Sequence, residues 1–262
     1  MQFLGYFDRV AVINLPERTD RRKGVEQELK RLGLPIHAHK VVFFPAVKPA
    51  DAGAFPTRGA RGCFESHLAV LRAARADGLS NILILEDDFA SSEELELLQS
   101  RLLAQLTRSS WDMVAFGHNL QSETPKVPTL VRPHATYRLT HCYAVNASCF
   151  DALISFLELV QSRPSGHALG GPMHYDGALD TFRHQHPERQ VLIAFPSVAG
   201  QRSSRSDINP SRLERIAALR HLVELARVGL RVARSVLGGA RKPAGHTAAS
   251  PSTFPSVFPP AG

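Results

Sequence analysis

The sequence predicts an α/β fold built on a mostly parallel sheet, and three observations predict it. Apolar runs of strand length alternate along the chain with longer stretches of helical period. One of these runs, "ILIL" at residues 82–85, has no polar member, as a strand covered on both faces requires. It leads straight into Glu86, Asp87 and Asp88. The crevice beyond the carboxyl ends of such strands is where open α/β sheets hold their ligands.

Taken in order, "RVAVINL" is the first strand, and a polar turn follows it. A helix is expected over about residues 21–32, with Val25, Leu29 and Leu32 on one stripe and Gly33 as its stop. "KVVFFPAV" is the second strand. "GARGCFESHLAVLRAARADG" reads as a glycine-rich turn, with Gly59 and Gly62 giving backbone freedom, feeding a helix that ends at Gly78. Ser66 and His67 then fall early in that helix. After the acid-tipped strand, Ser91 and Glu94 form a capping box for the next helix. "WDMVAFG" and "HCYAVN" are further strands, "CFDALISFLELV" a helix and "QVLIAFP" a late strand, while "QSETPKVPTL" reads as a loop.

Residues 1–209 are expected to form one domain. In residues 210–241, Ile216, Leu219, Val223, Ala226, Leu230, Ala233 and Leu237 recur every three or four positions, and Arg215, Arg220, Arg227, Arg231 and Arg234 fill much of the remainder. That is a basic amphipathic helix, suited either to an anionic membrane surface or to packing on the domain. Residues 242–262, rich in Pro, Ser, Ala and Gly, are expected to be disordered.

The composition is that of a globular protein, 44% hydrophobic and 21% charged, with a net charge of +7. The charge is unevenly placed. Residues 1–199 hold 21 basic and 21 acidic side chains, whereas residues 200–242 hold 10 and 3. The excess lies in the C-terminal segment, so a nucleic-acid partner is not expected for the domain. Cys63, Cys142 and Cys149 fit neither a disulfide framework nor a zinc spacing, which points to a reducing compartment. With neither a secretory leader nor a membrane-length apolar run, a cytoplasmic protein is expected, peripheral on the inner face of the plasma membrane if residues 212–242 bind lipid.

"VINLPERTDRR", "GARGCFESHLAVLRAA", "ILILEDD", "HCYAVN", "HYDGALD" and "FPSVAGQRSSRSDI" occur in that order. Together they resemble glycosyltransferase family 25, which contains bacterial lipooligosaccharide β-galactosyltransferases and collagen galactosyltransferases. The resemblance covers about residues 10–208. It implies a GT-A-like fold, a nucleotide-sugar donor such as UDP-galactose, a divalent metal (Mn²⁺ or Mg²⁺) and inversion at the anomeric carbon. The acceptor it implies is a cell-surface or lipid-linked glycan such as lipopolysaccharide.

The residues are compatible with that chemistry. A nucleoside diphosphate gains charge as it leaves, and a hard cation held by carboxylates can neutralise it. Glu86 and Asp88 alternate along an extended chain and can share a face. Asp88 is therefore the leading metal ligand and Glu86 a metal ligand or ribose contact, while Asp87 is left open between these roles and a backbone hydrogen bond. Asn14, Arg18 and Arg21 follow the first strand toward the same crevice and are candidates for holding the donor, Arg21 being the better match to the family. Ser66 and His67 take a donor-site role from the resemblance, although Phe64 and Glu65 depart from the family's small-residue step. Gln201, Ser206 and Asp207 also match family positions. An inverting transfer needs a base for the acceptor hydroxyl. Asp176 is the first candidate, Asp180 the second and His174 the third. His37/His39 and His184/His186 lack a third ligand. The competing readings are a metal-dependent phosphohydrolase and a non-catalytic glycan- or membrane-binding module.

Overall fold

The computed structural model describes residues 3–34, 40–120, 127–138 and 140–202. The helix and tail expected after residue 209 lie outside these residues, as do His37, His39, Ser206 and Asp207.

Seven strands form the central sheet in the order β2-β1-β3-β7-β5-β8-β6. They are β1 (Arg9–Asn14), β2 (Val41–Pro45), β3 (Asn81–Glu86), β5 (Met113–Ala115), β6 (Thr129–Val131), β7 (Cys142–Asn146) and β8 (Val191–Phe195). β4 (Phe89–Ser91) and β9 (Ala199–Gln201) make a separate antiparallel ribbon. Pairing of β1 with β2 and β3, and of β5 with β8, is parallel, whereas β7 runs against both β3 and β5. Five strands thus share one direction, and β7 and the edge strand β6 are reversed.

Side chains leave the sheet alternately, which builds a core on each face. Ile82 and Ile84 of β3 pack with α2 (Arg58–Ala76), α4 (Ala147–Ser162) and α5 (Tyr175–Gln185). Leu83 and Leu85 pack on the other face with α1 (Thr19–Arg31), α3 (Glu93–Arg108) and the short 3-10 turn Phe3–Tyr6. The unbroken apolar run of β3 is therefore buried on both sides, as its composition requires.

Four local expectations are corrected. The α2 helix starts at Arg58, because the Thr57 hydroxyl accepts the Ala60 N–H at 3.0 Å and caps it there. Gly59 and Gly62 are consequently helical, not turn residues, and Ser66 and His67 lie in mid-helix. Gly62 serves close packing. A Cβ there would stand 2.7 Å from the Val47 carbonyl and 3.1 Å from the Pro49 ring. Gly62→Ala should overpack this contact and lower stability by roughly 1–3 kcal/mol, measured by denaturant unfolding. A variant of wild-type stability would show that the segment after β2 yields freely.

The cap of α3 is Ser92, whose Oγ accepts the Leu95 N–H at 3.2 Å. Ser91 belongs to β4 instead and donates its hydroxyl to the Glu28 carboxylate at 3.0 Å. The expected loop through Thr129 and Leu130 contains β6, drawn into the ladder by the open edge of β8.

Candidate active site

The carboxyl ends of β1 and β3 lie side by side, with Ile13 in register with Glu86. Beyond them opens a cleft of about 430 Å³. Its walls are the segment Ala46–Pro49 after β2, the first half of α2, the β3 exit, the start of α5 and the end of β9. Glu86, Asp87, Asp88, Arg21, Ser66, His67, His174 and Asp176 all line it.

The three consecutive acids have three different surroundings. Asp87 is buried, forms an ion pair with Arg21 at 2.7 Å and accepts a hydrogen bond from the Asn14 amide at 2.9 Å. Glu86 accepts the Thr140 hydroxyl at 2.7 Å, and His67 Nε2 stands 3.6 Å from the same oxygen. Burial opposes its charge, yet the His67 ring and Thr140 outweigh that and hold the carboxyl below its usual range. Asp88 has the weakest support, with the Gln201 amide 3.5 Å from each of its oxygens. Burial first, and the charge of Glu86 next, push its pKa up to about 7.

The β4–β9 ribbon holds these parts together. Phe89 pairs with Gln201, and the Arg202 N–H donates to the Asp88 carbonyl at 2.7 Å. The Arg202 guanidinium donates to the Asp87 carbonyl at 3.1 Å and lies where a Cβ on Gly24 would be.

The remaining candidates divide. Asn14 is behind the cleft, bonded to Asp87 and to the Arg18 carbonyl. Arg18 is the residue before α1; its guanidinium pairs with Asp20 and does not line the cleft. Ser66 lines the cleft, but its hydroxyl donates to the Gly62 carbonyl at 2.6 Å and accepts the Val47 N–H at 2.8 Å. Asp176 faces the cleft from the first turn of α5, 3.7 Å from Arg138. Asp180, one turn on, is buried, paired with Arg183 at 2.7 Å and beside His184. It does not line the cleft, so the structure does not bring the two aspartates to one place.

Three cleft residues, Thr140, Lys48 and Arg58, carried no sequence signal. Thr140 precedes the reversed strand β7, and Lys48 and Arg58 also line the cleft, Lys48 with its ammonium paired to Glu17. Cys63 lines the cleft one helical turn before His67. Burial, and then Glu86, Asp176 and Asp88, push its thiol well up.

A model of glycosyltransferase family 25, described as an LPS biosynthesis protein, matches residues 7–156. The human protein named inactive glycosyltransferase 25 family member 3 is 27% identical over 212 residues, covering 72% of this chain and 34% of its own. Procollagen galactosyltransferase 1 of Danio rerio is 25% identical over 213 residues, with the same shares of 72% and 34%. The chain therefore spans about a third of the length of these relatives. A solved glycosyltransferase involved in glycosylation of the major capsid of PBCV-1 is similar over 76% of this chain and 93% of its own, at 11% identity and a TM-score of 0.47. With more than half of its length under the family model, this chain belongs to glycosyltransferase family 25.

Proposed function

We propose that the cleft transfers a sugar from a nucleotide-sugar donor to a glycan hydroxyl, with inversion at the anomeric carbon. The observation that carries this reading is the meeting of opposite charges in one cleft. Glu86 and Asp88 lie at the β3 exit, and Arg58, at the start of α2, and Lys48, which is paired with Glu17, line the same cleft. A nucleoside diphosphate bridged to a cation needs both signs.

The donor set fits a hard divalent ion. Asp88 is desolvated by burial and repelled by Glu86 and Asp87, which the Arg21 charge and one distant amide offset only in part, an imbalance that a cation corrects. Mn²⁺ or Mg²⁺ would be held by Asp88 and Glu86, and when bound it supplies positive charge to the departing diphosphate. The protein residues do the rest. Arg58, at the N-terminus of α2, and Lys48 bind diphosphate oxygens, helped by the free N–H groups of that helix end. Arg21 pairs with Asp87 and fixes it, which sets the positions of Glu86 and Asp88 on either side of it. Asp176 takes the proton of the acceptor hydroxyl. The acceptor oxygen then bonds to the anomeric carbon as its bond to the diphosphate breaks. Galactose from UDP-galactose, with a lipopolysaccharide-class acceptor, is the first combination to assay.

A second reading, a binding module without transfer, is favoured by the human relative's being named inactive. One experiment addresses both. Wild type should bind UDP-galactose in a metal-dependent manner and form a new glycosidic bond, and Asp88→Asn should lose both while remaining folded. Binding without transfer to any acceptor supports the module. Full transfer by Asp88→Asn in chelator removes the metal assignment.

A further inference from the structure

The His67 imidazole is buried at 1% exposure and is fixed by two tyrosines. Its ring stacks on Tyr175 at 4.1 Å, and its Nδ1 is 2.9 Å from the Tyr143 hydroxyl. The Tyr143 hydroxyl is in turn 2.9 Å from that of Tyr175. The other ring nitrogen, Nε2, has no hydrogen-bond partner. An orphaned polar atom at this depth is costly, and a native site that keeps one calls for an explanation. Around Nε2 are the Glu86 carboxylate at 3.6 Å and the Cys63 thiol, with all three ligand atoms within 4.8 Å of one another.

We infer that Cys63, His67 and Glu86 form a second cation site, for a thiophilic divalent ion of the Zn²⁺ class, with its fourth coordination position open to the cleft. Cys63 and His67 are four residues apart on α2 and so lie on one helix face. Tetrahedral zinc, with bonds of about 2.0–2.3 Å, places its ligand atoms roughly 3.3–3.8 Å apart. The Nε2–Glu86 separation already meets that spacing, so Cys63 alone has to move inward, by about 1.5 Å at most. In the metal-bound form the ring takes the tautomer whose Nδ1–H donates to Tyr143, and the Nε2 lone pair faces the metal. The ion then replaces the His67 proton as the positive partner of Glu86, with Tyr143 and Tyr175 holding the ring as outer partners of zinc histidines do. Sulfur and nitrogen donors select against Mn²⁺ and Mg²⁺, which take oxygen. The site is therefore chemically distinct from the one at Asp88, although both use Glu86. Resting on the transfer reading above, this overlap makes Zn²⁺ an inhibitor that competes with the hard cation.

The test uses the full chain with Co²⁺ as an optical stand-in for Zn²⁺. Wild type should develop thiolate-to-cobalt absorption that Zn²⁺ erases. Cys63→Ser should abolish this absorption, and His67→Gln should weaken Zn²⁺ affinity about tenfold or more, since even outer partners of zinc ligands are worth that much. Asp88→Asn should leave Zn²⁺ affinity within about threefold, although the same change is expected to stop transfer, so the two proposals fail separately. A second measurement needs no variant. Zn²⁺ should protect Cys63 from alkylation, and Cys142 and Cys149 are too buried to confuse the reading. No cobalt absorption, equal Zn²⁺ affinity in Cys63→Ser, or alkylation unaffected by Zn²⁺ would each overturn the site.

Discussion

Asp176→Asn should reduce kcat by on the order of 10² to 10⁴ while leaving donor affinity nearly unchanged. The acceptor hydroxyl loses its proton only along the transfer step, whereas contacts to the diphosphate exist once the donor is bound. Asp176 faces the cleft with Arg138 as its one ion-pair partner among the described residues. Asp180→Asn is the internal comparison. Its carboxylate is committed to Arg183 and shielded from the cleft, so the change should lower thermal stability more than it lowers kcat. Transfer and donor binding are measured separately, by product formation and by calorimetry. If Asp180→Asn alone stops transfer, or Asp176→Asn weakens the donor instead, the base has been assigned to the wrong carboxylate.

Arg21→Met should destabilise the domain by about 3–5 kcal/mol, a fall in Tm on the order of 10 °C. The pair with Asp87 is nearly dry, at 13% and 10% side-chain exposure, and removing the cation leaves a buried carboxylate with, among the described residues, the Asn14 amide as its one side-chain partner. Calorimetric unfolding checks it. The double variant Arg21→Met with Asp87→Leu removes both charges and should recover most of the lost stability without recovering transfer. Recovery of both would mean that the pair serves the fold alone. A single variant as stable as wild type would show that water reaches Asp87 and screens it.

The part of this site legible in the sequence is the part that lies on strand exits and continuous motifs. The apolar run of residues 82–85 announced β3, and the acids after it were placed at the cleft by the general rule for parallel strands. Arg21 was placed there by its position after the first strand and by the family resemblance, Asp176 by the resemblance, and both line the cleft. What failed was anything decided by tertiary approach. Gly62 looks like a hinge in the sequence and is a contact point in the fold, because the residue it accommodates, Val47, belongs to another element. Asp176 and Asp180 share a helix, yet one faces the cleft and the other an arginine three residues on. The spacing of i and i+4 allows a common face but does not say where the neighbour's cavity ends. Thr140 was invisible because it precedes a reversed strand, β7, so the start of that strand, not its end, comes to the site. Cys63 and His67 were read separately, since Glu86, which joins them, is about twenty residues further on.

The ribbon of β4 and β9 has a thermodynamic consequence. It has three residues in each strand, yet it sets the Gln201 amide against Asp88 across more than a hundred residues of chain. So short a ladder opens locally at little free-energy cost compared with the central sheet. Opening it withdraws Gln201 and Arg202 from the acids, and closing it restores them. Occupancy at Asp88 and closure of the ribbon are then two faces of one linked equilibrium, each shifting the other by the same factor. The amide proton of Gly200, opposite Ala90, should exchange with deuterium more slowly once the donor and its cation are bound, while the protons of β3 stay unchanged. Equal exchange in the free and loaded protein would mean that the ribbon is already closed and the carboxylates stand ready in advance.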